Sequence, residues 1–61
     1  MIIYLIFKQI MDSQGINIKT ELVECDINEQ NANRFSKLYN LQVPTDLKKK
    51  IQYTYVGARV L

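Results

Sequence analysis

Between Leu22 and Thr45 the hydrophobic pattern changes period and marks out two elements. Leu22, Val23, Cys25 and Ile27 form a short apolar run ended by Asp26 and Asn28, residues that leave strands for turns and caps, so a strand is predicted over residues 20–26. Asn28 then suits a helix N-cap, and Glu29 places a negative charge in the first turn, where it complements the helix dipole. Ala32, Phe35, Leu38 and Tyr39 recur at i, i+3, i+6 and i+7 and predict an apolar stripe set against a sheet, with Asn31, Arg34 and Lys37 facing away. The helix should end where Asn40 takes a left-handed conformation and Val43, preceding Pro44, is pushed into an extended one.

The first segment fits two periods. Residues 2–7 are β-rich in type and would make a buried strand, whereas Ile3, Ile6, Phe7, Ile10 and Met11 also share one helical face. The helical spacing persists past Phe7 and Gly15 supplies a C-terminal stop, which favours a helix from about Ile2 to Gln14. Residues 16–19 link it to the first strand. Beyond Pro44, residues 45–50 are a polar and basic connector. Ile51–Val56 alternates as a strand should, Gly57–Ala58 reads as a turn, and Arg59–Leu61 as the start of a partner strand. The expected order is helix, strand, helix, β-hairpin, an α/β arrangement whose helical crossover implies parallel strands and a right-handed connection.

A strand ending in an acidic residue, a helix ending in Lys37-Leu38-Tyr39-Asn40-Leu41, and Val43-Pro44-Thr45 close behind resemble the middle of a thioredoxin-fold (thioredoxin/glutaredoxin-like) domain. The resemblance covers about half the chain. It implies an incomplete thioredoxin-like fold lacking the first strand and last helix, a function of the thiol–disulfide oxidoreductase type, and a substrate-binding corner at Val43, Pro44 and Thr45, whose proline in that family is cis and stands beside the redox-active cysteines. The family's Cys-x-x-Cys pair is missing, so the resemblance implies a member that is redox-inactive as it stands. Five residues, Asp46 to Lys50, separate the Val43–Thr45 corner from the next apolar run, whereas in the family the strand follows at once, a departure that favours Pro44 as a helix stop alone.

With 61 residues the chain is one small domain, read either as a whole protein or as a piece of a thioredoxin-fold domain. A domain this short buries only ~60% of the surface its unfolded chain exposes. One cysteine and no histidine rule out a disulfide framework and the usual zinc sites, leaving packing or a partner to stabilise it. A formal charge of +2 is too slight to imply nucleic acid or an anionic membrane. The apolar opening, Met1–Phe7, falls far short of the ~20 residues a membrane-spanning helix needs, and it lacks the basic leader of a secretion signal, so a cytoplasmic chain is expected.

Candidate chemistry is sparse. Cys25 is the one thiol; its sequence neighbours Glu24 and Asp26 do not favour a thiolate, and a small buried apolar role near the sheet centre is expected, with a surface thiol forming mixed disulfides as the alternative. Lys48–Lys50 beside Tyr53 and Tyr55 would suit single-stranded nucleic acid, but without an RNA-binding motif they read as a solvated connector, and no nucleic-acid partner is expected. Glu21, Glu24 and Asp26 have no histidine or cysteine at ligand spacing, so no catalytic residue, metal or cofactor is expected. The competing functional class is a non-enzymatic interaction module that binds a protein partner, or a second copy as a homodimer, through exposed strand edges.

Overall fold

The computed structural model describes residues 1–60 and replaces the expected order with β1 (Ile2–Met11), β2 (Asn17–Asp26), α1 (Glu29–Gln42), a 3-10 turn at Thr45–Leu47, and β3 (Ile51–Arg59). The three strands form one antiparallel sheet in the order β2-β1-β3. The incomplete thioredoxin-like fold is therefore corrected to a ββαβ domain. Its helix does return the chain to a strand running in the same direction as β2, but β1 lies antiparallel between the two.

The segment expected to be a helix over residues 2–14 is the central strand. Two neighbours hydrogen-bond its backbone, and apolar residues on both of its faces satisfy a helical spacing as well as a strand one. Gly15 has φ +82°, the left-handed conformation expected of it, but it closes a β-hairpin. The Asp12 carboxylate secures that turn by accepting from the backbone N–H groups of Gln14 at 2.9 Å and Ile16 at 3.0 Å.

Strand β2 carries two extra residues. Ile6 pairs with Glu24 but Phe7 with Leu22, leaving Val23 as a bulge; Ile10 pairs with Lys19 but Met11 with Asn17, leaving Ile18 as another. Each bulge reverses the phase of side-chain alternation, because a one-residue slip sends every following side chain to the opposite face. Strand β3 continues through Gly57 without the expected turn. Gly57 lies opposite Tyr4, and a Cβ there would stand 3.3 Å from the Tyr4 ring. Leu61 lies outside the described residues.

Helix α1 begins as expected: the Asn28 side chain accepts from the N–H groups of Gln30 at 2.8 Å and Asn31 at 3.3 Å. It ends at Val43, which is extended (ψ 128°) before Pro44. Asn40 stays helical, since no non-glycine residue among those described has positive φ. Its amide instead donates to the Tyr53 carbonyl at 2.9 Å and accepts from the Tyr53 N–H at 2.7 Å, fastening the helix to the edge of β3. The Lys48 ammonium donates to the Asn40 carbonyl at 2.9 Å and so satisfies one of the last helical acceptors. The buried helical positions are Ala32 and Ser36, with Phe35 and Tyr39 partly covered. Leu38, expected against the sheet, is 46% exposed, because the stripe that meets the sheet is centred on Ala32, Ser36 and Val43.

Candidate functional site

Directly opposed residues of antiparallel strands share a face, so the register assigns every paired sheet residue to one of two surfaces. The helix covers the face bearing Tyr4, Ile6, Lys8 and Ile10 of β1, with their partners Asp26, Glu24, Glu21 and Lys19 on β2 and Tyr55, Tyr53 and Ile51 on β3. Ile6 at 0% exposure is the centre of the small core, joined by Ala32 and Val43. On this side the Tyr39 hydroxyl donates to Glu24 and the Tyr39 ring stacks on Tyr53 at 5.0 Å between centroids. The hydrogen bond to Glu24 raises the Tyr39 phenol above its ordinary value of 10.0, with partial desolvation and the carboxylate's charge acting in the same direction. Lys19 meets Glu21 at 3.0 Å and holds its carboxyl below the ordinary range, with Lys8 adding to the effect.

The opposite face carries Ile3, Leu5, Phe7, Gln9 and Met11 from β1, Leu22, Cys25, Thr20 and Asn17 from β2, and Gln52, Thr54, Val56 and Ala58 from β3. Among the described residues no element lies over it. Leu22 remains 57% and Val56 47% exposed. All the charged residues of the three strands, Lys8, Lys19, Glu21, Glu24, Asp26 and Arg59, belong to the helix side, and the open face has none. The bulge at Val23 produces this sorting. It puts Leu22 with Cys25 on the open face and keeps Glu21 with Glu24 on the other, where an unbroken alternation would mix them.

Cys25 is exposed on this uncovered face, not buried as expected, because β2 is an edge strand and nothing packs over it. Pro44 has no cis bond, and Val43 and Pro44 border a small cavity of about 240 Å³ with Lys8, Tyr39 and Tyr53, on the helix side. Thr45 opens the 3-10 turn that follows. The structure thus places Cys25 and the Val43–Pro44 pair on opposite sides of the sheet, so the thiol does not join the corner in one site. Tyr53 and Tyr55 do share a face, as their alternation predicts, but each packs on another tyrosine under the helix, Tyr53 on Tyr39 and Tyr55 on Tyr4. Among the described residues no group of three potential ligands could hold a metal ion, and no helix is long and apolar enough to cross a membrane.

The strand edges are less available than the sequence suggests. On β3 the Asn40 amide occupies the Tyr53 backbone groups, and on β2 the two bulges interrupt the ladder that an incoming strand would extend. No protein-family model, curated protein or solved structure matches the chain.

Proposed function

We propose that the chain is a non-enzymatic protein-interaction module whose working surface is the uncovered face of the sheet. One observation carries the reading: apolar and uncharged residues are gathered on the face that the helix leaves open, while the charged strand residues lie on the side of the sheet that the helix occupies. A face destined only for water would show the reverse sorting, since antiparallel sheets with one solvated face normally alternate apolar inward and polar outward. Edges that are partly occupied at Tyr53 and interrupted by bulges in β2 favour contact through this face over strand addition. The redox reading loses its basis in the fold, and Cys25 has no partner thiol in this chain.

The test is to place charge on the face and ask what is lost. Leu22→Glu and Val56→Glu should leave the circular dichroism spectrum unchanged, because both side chains are about half exposed and fill no cavity. Both should elute early from a phenyl matrix that retains the parent chain. Leu41→Glu, on the outer helix face at 75% exposure, should change retention little. Equal retention of all four proteins would refute the assignment of the face.

A further inference from the structure

The chain exposes more surface than its mass requires. A compact monomer of 7.2 kDa exposes roughly 4,100 Å², whereas this one exposes 4650 Å². Its Cα radius of gyration of 12.3 Å likewise exceeds the ~10.5 Å of a compact domain of this length. The molecule is a thin slab, 38 × 21 × 12 Å, with one layer of sheet and one helix. A third layer is what this architecture lacks.

We propose that the third layer is a second copy of the same chain, its sheet packed face to face about a two-fold axis. This rests on the reading of the open face as a protein-binding surface and names its occupant. Three strands of about ten residues span roughly 14 by 34 Å, an area near 480 Å² in projection. The excess of about 500 Å² over a compact monomer is of the same size, so mutual coverage removes on the order of 1,000 Å² from water, the size of a weak, concentration-dependent specific interface.

Charge on the face does not oppose a second copy. In a two-fold contact a patch meets itself, so a charged residue near the axis meets its own sign. A net charge of +2 makes each chain repel its twin overall, yet the open face brings no charge to the contact, and Lys8, Lys19 and Arg59 stay on the far side of the sheet. Four of the polar residues of the face, Asn17, Gln9, Gln52 and Thr20, collect toward the hairpin end, while Thr54 lies opposite Phe7 beside the apolar group of Leu5, Phe7, Leu22 and Val56. Two such faces form an aligned sandwich with a largely apolar middle and an uncharged polar end.

Sedimentation equilibrium from micromolar to millimolar concentration, with circular dichroism on each sample, tests this. The parent chain is expected to pass from monomer to dimer, Leu22→Glu and Val56→Glu to weaken the dimer by roughly tenfold or more while staying folded, and Leu41→Glu to match the parent. A variant-free measurement accompanies it: the alkylation rate of Cys25 in the parent chain should fall as the dimer fills. A folded parent at the monomer mass throughout overturns the self-association while leaving the interaction face intact if Val56→Glu still loses retention on the phenyl matrix. A dimer that survives both glutamate variants, or a thiol rate that ignores the transition, puts the contact elsewhere and overturns both readings.

Discussion

Replacing Asn40 by alanine cuts the hydrogen-bonded clamp that its side chain makes between the helix and β3. Its amide makes two hydrogen bonds to the Tyr53 backbone, at 2.7 and 2.9 Å, both partly buried. Each bond of this kind contributes a net ~0.5–1.5 kcal/mol, so together they are worth about 1–3 kcal/mol. The lower half of that range applies, because Tyr53 lies on a sheet edge where water can replace part of what is lost; about 1–2 kcal/mol is expected. At roughly 4–8 °C per kcal/mol for a domain of this size, the Tm should fall by about 4–16 °C. Thermal unfolding followed by circular dichroism gives the shift, and Asn40→Asp, which keeps the acceptor for the Tyr53 N–H but not the donor to its carbonyl, should fall between parent and alanine. A Tm for Asn40→Ala within about 2 °C of the parent would refute the clamp and the reasoning that the helix is held at the β3 edge.

Ile6, the fully buried large side chain at the core centre, should cost about 0.5–1.5 kcal/mol when cut to valine and about 2–5 when cut to alanine; with total stability on the order of 3–9 kcal/mol for 61 residues, urea titration should find the midpoint of Ile6→Ala lowered by about half or more and that of Ile6→Val lowered only slightly. Gly15→Ala meets nothing within 4 Å, so its cost of about 1–2 kcal/mol should come from the left-handed backbone alone, measured as a shift in the urea midpoint without a change in slope. Because Tyr39 titrates above its ordinary 10.0, the stability it contributes should be complete below that pH and disappear as pH rises through the higher folded value. Tyr39→Phe should flatten that alkaline limb in denaturant titrations, and an unchanged limb would show that the Glu24 bond does not couple to folding.

How far the sequence could be read depended on whether one period excluded the other. Asn28, Glu29 and Pro44 bound α1 because capping and pre-proline sterics are local, and they act as the sequence predicts. β1 was illegible for a physical reason: a central strand with apolar residues on both faces repeats nearly everywhere, so Ile3, Ile6, Phe7, Ile10 and Met11 also fit one side of a helix. Its β-branched and aromatic content was the signal for a strand. Gly57 looked like a turn, yet it sits in a strand opposite the Tyr4 ring, a long-range arrangement that no local rule encodes. The open face was hidden by the bulge at Val23, since Leu22 and Cys25 share a side only once the extra residue has shifted the phase. The break in alternation at Leu22-Val23 was the one available hint.

The most direct test of the central claim follows the methyl groups of the parent chain by NMR as its concentration rises from micromolar to millimolar. Shifts that move with concentration at Ile3, Leu5, Leu22 and Val56, while Ile6 and the outer helix residues Leu38 and Leu41 stay still, are what association through the uncovered sheet face predicts. Movement concentrated at Leu38 and Leu41, or no movement while the face methyls remain open to a soluble paramagnetic probe, would contradict it.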